Sequence, residues 1–326
     1  MNLDVHPLVA ELTHARHSAG SMNAATMTLV VFYEDAQVGS WVRSRTRAIA
    51  DKHPSRVLLF DGTKNEGDQH AEPSATRGEW VEIGVKGSHA SEIGAALSML
   101  ALAEAPVVLC WIATDLAADE RFVTLAKQAH TIVVSSSVIR SDERPLRDLI
   151  AFVEAHPEIV VQDIAYLRLA AWQELIAEFF DEPEFLEELT ALREVEVHAG
   201  SDAEMYYLLG WLASRLDWIP CAPDAMCNSS GDIIHITEQR DGSARRLSKV
   251  ELRSKDVVFS ACVHPDDPDA VCLEVTGAKS RKERCAPLHT MDIASLIERA
   301  ILRSSVDDIF EQSLALAKLI IERKVS

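Results

Sequence analysis

Between Met27 and Ala155, short apolar, β-branched runs alternate with longer stretches of helical character, and few folds accommodate that alternation. The runs are Met27–Tyr33 (MTLVVFY), Arg56–Phe60 (RVLLF), Trp80–Val85, Pro106–Ile112 (PVVLCWI) and Thr131–Val134. The helical stretches are Gln37–Lys52, Ser91–Ala103, Asp119–Gln128 and Pro145–Ala155, after an opening helix at Val5–His17. Unbroken apolar runs suit strands buried on both faces, and parallel neighbours require a crossover such as a helix. The expectation is a mostly parallel sheet covered by helices, with right-handed βαβ connections. Thr63–Gly78 is polar and aperiodic, so it reads as a long loop.

The pattern changes after His156-Pro157. Helical segments at Ala170–Phe180, Glu184–Leu192 and Ala203–Leu216 surround a strand at Glu194–His198. Alternating runs follow at Ile233–Thr237, Leu247–Leu252, Val257–Val263 and Val271–Val275. Turn chemistry separates them, at Asp241-Gly242 and from Pro265, so an antiparallel meander is expected. Helices at Ile293–Leu302 and Asp307–Glu322 close the chain. The reading is therefore an α/β, Rossmann-like domain over residues 1–160 and an α+β domain over 161–326.

The formal net charge is −19, a field that repels phosphate backbones and anionic membranes, so neither is an expected partner. No stretch reaches the roughly 18 apolar residues of a membrane span, and Met1–Gly20 lacks the apolar core of a signal peptide. A cytoplasmic location and reduced thiols are expected for a chain whose six cysteines are widely spaced. In the second half the signs separate. Asp181–Glu204 holds nine acidic residues and one basic, whereas Arg240, Arg245, Arg246, Lys249, Arg253 and Lys255 form one basic stretch and Lys279, Arg281, Lys282 and Arg284 another. Such stretches are usually solvated faces; the sharper reading is a steered protein interface, with Arg245, Arg246 and Lys249 as candidates.

Catalytic chemistry is hard to find. A dinucleotide site would need G-x-G-x-x-G at the first βα turn, but the turn reads Tyr33-Glu34-Asp35-Ala36-Gln37-Val38-Gly39, with two carboxylates where phosphate would sit. Asp61 and Asp115 repeat the theme at other strand ends. No P-loop, G-x-S-x-G, H-E-x-x-H or C-x-x-C occurs. Cys262-x-His264 with Cys272 and Cys285 fits no common zinc spacing, Cys110 sits in an apolar run, and Cys221 and Cys227 read as an inert pair. Ser135-Ser136-Ser137 with Arg140 is the one arrangement offering donors to a phosphate. No catalytic, cofactor-binding or metal-ligating residues are assigned.

Four segments together are similar to one family. HPSRVLLFD (His53–Asp61), APVVLCWI (Ala105–Ile112), DIAYLRLAAWQELIAEFFD (Asp163–Asp181) and LLGWLASRLDW (Leu208–Trp218) resemble, in order and spacing, the glucose-6-phosphate dehydrogenase assembly proteins of the OpcA type. The resemblance runs from about residue 25 to 320 and is strongest between Asp163 and Trp218. It implies a non-catalytic partner of glucose-6-phosphate dehydrogenase, acting in assembly or allosteric activation in the oxidative pentose phosphate pathway. Asp163, Arg168 and Trp172 match the family's D-x-x-W/Y-x-R-x-x-x-W pattern, and Trp211, Arg215 and Trp218 its G-W-L-A-S-R-L-x-W pattern. These six are the candidates for partner binding or for holding the domains together. The alternative is a sugar-phosphate or nucleotide enzyme, or a metabolite sensor; the sensor would use Arg245, Arg246 and Lys249.

Overall fold

A computed structural model describes residues 3–19, 25–74, 78–113, 116, 118–139, 142–222, 225–242, 246–277, 281–303 and 305–323. The chain forms two compact units, one from residues 1–135, 151–163 and 293–305 and the other from 136–150, 164–292 and 306–326. The sequence places a boundary near residue 160; the chain itself crosses between units several times.

In chain order the first stretch contains α1 (His6–Ala19), β1 (Met27–Tyr33), α2 (Ala36–Lys52), β2 (Ser55–Asn65), β3 (Gln69–Ser74), β4 (Gly78–Lys86), α3 (Ala90–Leu100), β5 (Val107–Ile112), α4 (Glu120–Ala126) and β6 (Thr131–Val134). Then come α5 (Ser136–Ile139), α6 (Arg144–Ala155) and β7 (Val160–Asp163). The first unit's sheet has the order β3-β4-β2-β1-β5-β6-β7, parallel throughout except for β3 against β4. Every residue of β1 is buried, as its unbroken apolar run requires. The order reverses beside β1, so the crevice at the carboxyl ends of β1 and β5 is the place where such sheets bind ligands.

The loop expected over Thr63–Gly78 is instead partly strand. β2 continues to Asn65, and β3 pairs antiparallel with β4 from Gln69↔Ile83 to Ser74↔Gly78. Its polar side chains carry no period because it lies at the sheet edge, where backbone pairing to β4 defines the strand. Gly84 permits the close approach of β2, since a Cβ there would lie 2.2 Å from the Asn65 carbonyl oxygen.

The second stretch contains α7 (Ile164–Leu167), α8 (Ala170–Ala177), two 3-10 turns, α9 (Leu186–Thr190), β8 (Glu194–Ala199) and α10 (Asp202–Arg215). It continues with β9 (Ile219–Ala222), β10 (Ala225–Cys227), β11 (Ile233–Arg240), β12 (Leu247–Arg253), β13 (Val257–His264), β14 (Asp267–Gly277) and β15 (Arg281–Pro287). After these, α11 (Ile293–Leu302) belongs to the first unit and α12 (Asp308–Glu322) to the second. The second sheet has the order β15-β14-β13-β12-β8-β11-β10-β9. The expected antiparallel meander is β12 to β15, but β11 pairs parallel with β8. Its core gathers Phe179, Phe180 and Phe185 around Phe259, and Tyr166 and Tyr207 against Phe310.

Candidate functional site

Two places could carry function: the strand ends of the first sheet and a cavity in the second unit. At the first, the chain's own side chains pair with one another. Asp35 caps α2, accepting a 2.8 Å hydrogen bond from the Gln37 amide, so the helix N-terminus is supplied with a carboxylate. Arg121 Nη1 donates to Glu34 Oε1 at 2.6 Å, and its other nitrogens hold Asp119. The guanidinium lies 4.9 Å from the Phe32 ring centroid, and Phe32 stacks on Trp111 with centroids 4.2 Å apart. Hydrogen bonding to Asp119 and Glu34 raises the Arg121 pKa further, despite burial. Glu34 is therefore ion-paired and Asp35 is the cap of α2, so the turn presents carboxylates where a pyrophosphate would need glycine backbone donors.

Beside this crevice Tyr33 donates to Asp61 at 2.8 Å, and Arg43 bridges Asp61 at 3.1 Å and Glu82 at 2.6 Å. Lys64 also pairs with Glu82. Burial, then the bond to Asp61, push the Tyr33 phenol up. Burial would raise the Glu82 carboxyl, but Arg43 and Lys64 outweigh it and hold the group down at about 2. Asp115 lies outside the described residues.

The second unit holds a cavity of about 460 Å³ lined by Arg168, Leu169, Trp172, Glu204, Arg246, Leu247, Ser248, Val263, Pro268, Asp269, Leu288 and Thr290. Arg168 lies between α7 and α8, Trp172 four residues on in the first turn of α8, and Glu204 in the first turn of α10. Glu204 accepts from the Leu247 amide through Oε2 at 3.2 Å, while its buried Oε1 has no hydrogen-bond partner. Arg168 Nη1 stands 3.5 Å from that oxygen and donates to Ser137 Oγ at 3.0 Å. Burial raises the Glu204 carboxyl against the opposing pull of Arg168.

The cavity brings together Arg168, Trp172 and Arg246, drawn from two separate groups of sequence candidates. The others lie elsewhere. Asp163 closes β7, buried, in the first unit. Trp218 is a core residue and Trp211 is half-buried on α10, while the exposed Arg215 donates to Gln312 at 2.5 Å. Lys249 is held by Glu251 at 3.0 Å and Glu196 at 3.5 Å. Arg245, Arg140 and Lys279 lie outside the described residues, and in the serine run Ser136 is buried and Ser137 serves Arg168. The separated charge stretches meet where Lys282 bonds Glu184 at 3.0 Å and pairs with Glu182; Arg284 pairs with Glu178, just before the acidic stretch.

The cysteine expectation needs correction. Cys221 is joined to Cys227, and Cys272 to Cys285, by disulfides; only Cys110 and Cys262 are free thiols. Pairing of β9 with β10 and of β14 with β15 brings these sulfurs together, which spacing along the chain could not show. His264, Cys272 and Cys285 place their ligand atoms within 4.8 Å of one another, but bonded sulfurs are not the thiolates a metal needs. Burial pushes the Cys110 thiol up to about 12.

Residues 46–151 match the family pattern described as the glucose-6-phosphate dehydrogenase subunit N-terminal domain, and residues 159–314 the corresponding C-terminal domain. The chain belongs to the OpcA family of glucose-6-phosphate dehydrogenase assembly proteins. Among OpcA relatives, one from Synechococcus elongatus, named as an OxPP cycle protein, is 28% identical over 322 residues, covering 86% of this chain and 70% of that protein. Another, from Synechocystis, is 33% identical over 144 residues, covering 44% of this chain and 30% of that protein.

Solved structures share the fold at low identity. KijD10, a 3-ketoreductase from Actinomadura kijaniata solved with NADP, superposes with a TM-score of 0.51 at 11% identity, over 90% of this chain and 96% of that one. A Desulfitobacterium hafniense protein described as an NADPH-dependent oxidoreductase gives 0.52 at 9%, over 90% and 93%. The residues of this OpcA-family chain do not fit such a dinucleotide: Asp35 caps the helix that would receive the pyrophosphate, and Glu34 and Arg121 meet across the turn. The signal for this was legible in the turn sequence, but its partner Arg121 was not. Gly210 is a further residue on which the packing depends: a Cβ there would lie 2.1 Å from the Ser313 carbonyl oxygen of α12. Its place in the G-W-L-A-S-R-L-x-W pattern was the available signal.

Proposed function

We propose that this chain is a non-catalytic accessory protein that binds glucose-6-phosphate dehydrogenase and promotes its assembly or allosteric activation. The observation that carries the reading is family membership spanning both halves of the chain, in a fold whose first βα turn carries Glu34, paired with Arg121, and the helix cap Asp35 in place of a glycine turn. Such a protein activates only by binding the active state of its partner more tightly than the inactive one. Moving that equilibrium from 1:99 to 99:1 takes about 5.5 kcal/mol of differential binding. Trp211 and Arg215 on α10 supply a half-buried aromatic and an exposed guanidinium, residue types enriched among interface hot spots. Trp172 and Trp218, being buried, are not presented to a partner. The test is to assay the cognate dehydrogenase with and without the purified chain and to examine the mixture by size exclusion. Increased activity with co-elution is expected; unchanged activity with separate elution overturns the reading.

A further inference from the structure

The cavity of the second unit has no part in that reading, and its construction points to a ligand. Its wall is largely apolar, from Leu169, Trp172, Leu247, Val263 and Leu288, with a few polar groups set among them, the usual make-up of a small-molecule site. Its volume of about 460 Å³ falls within the range of such sites. Three charged groups matter most. Glu204 is 2% exposed and carries an acceptor, Oε1, that no donor satisfies, although buried polar atoms are nearly always paired. Arg168 reaches the cavity with its guanidinium beside that oxygen. Arg246 is exposed at the cavity and makes no ion pair with any described residue, whereas Arg240 and Arg253 on the same sheet do. Asp269, the remaining charged lining residue, is exposed.

We propose that this cavity binds a small hydroxylated organic anion, its anionic group held by Arg246 and Arg168 and a hydroxyl donating to Glu204 Oε1. The apolar wall, with the Trp172 ring, receives the carbon skeleton. Two kinds of compound share this chemistry, a sugar phosphate and a sugar acid. The site lies within one unit and is independent of any partner protein, so its failure and that of the accessory role are separately observable.

Titration calorimetry of the full chain tests it, with glucose 6-phosphate, gluconate, inorganic phosphate and neutral glucose as probes. Saturable binding of glucose 6-phosphate or of gluconate is expected, tighter than that of inorganic phosphate, with no heat from glucose. Which of the two saturates identifies the headgroup. Arg246→Ala, at an exposed position, is expected to weaken that binding about tenfold or more through loss of charge-assisted hydrogen bonds. Lys249→Ala, outside the cavity, leaves it unchanged. Glu204→Gln keeps an acceptor but adds a donor, and is expected to lower affinity less than Arg246→Ala. Failure of every probe to saturate by millimolar concentration, inorganic phosphate binding as tightly as the polyol anions, or Arg246→Ala binding like the parent chain overturns the proposal.

Discussion

Arg121 at the start of α4 donates to Glu34, the residue after β1, at 2.6 Å, and the same guanidinium covers the Phe32 ring. This contact spans the crevice in which parallel sheets of this order bind dinucleotides. An acidic turn there would simply repel phosphate if it stood alone. Paired with Arg121, it becomes a structural seal.

The first prediction concerns that seal. Titrating the chain with NADPH is expected to give no saturable change in nucleotide fluorescence, and micromolar saturation would contradict the occupied crevice. Arg121→Ala leaves Asp119 and Glu34 without their cation. As both carboxylates are partly accessible, the loss is roughly 1–2 kcal/mol, readable as a lower urea midpoint.

Glu82 makes stability depend on acid. Its carboxyl is held at about 2 in the folded chain, below its ordinary value of 4.5, so its stabilisation is complete above about pH 5. That contribution fades as pH falls from about 4.5 toward 2, because the unfolded chain binds the proton first. Glu82→Gln leaves Arg43 and Lys64 short of a counter-charge and should cost about 3 kcal/mol at pH 7. Denaturant melts of both chains should converge toward pH 2; a constant gap across pH would show that the charge is not the cause.

Gly210 allows α10 to touch α12. A methyl there would stand 2.1 Å from the Ser313 carbonyl oxygen and 2.9 Å from the Ala317 amide nitrogen. Alanine is the better helix former by about 1 kcal/mol, so propensity alone predicts stabilisation. Packing should win, with Gly210→Ala lowering stability by about 2 kcal/mol or more as the helices are forced apart. A raised melting temperature would refute the close contact.

Thiol chemistry gives a fourth check. Alkylation of the native chain without reductant should label Cys262, which is exposed, and leave Cys110, whose thiol is buried and raised to about 12. Unfolding without reductant should add Cys110 and no more, since the other four are in disulfides. Mass spectrometry reads the count directly, and labelling of Cys221 or Cys272 under those conditions would contradict the pairing.

Much of the first unit was legible in the residues. Apolar runs such as MTLVVFY and RVLLF are buried on both faces and therefore carry an unmixed signal, and Glu34-Asp35 declared the absence of a glycine turn where it was sought. β3 and β15 were not legible: QHAEPS and RKERCAP sit at sheet edges, where pairing to one neighbour makes the strand and the sequence carries no period.

The sequence by itself determined the α/β alternation, the change of pattern after His156-Pro157 and the family segments, because these rest on local burial and on residues in fixed order. Tertiary structure alone decided that Arg121 answers Glu34, that Cys272 faces Cys285, and that Arg168, Glu204 and Arg246 share one cavity. Each joins residues from separate elements, and such meetings are set by strand order and helix packing, which local periodicity does not encode.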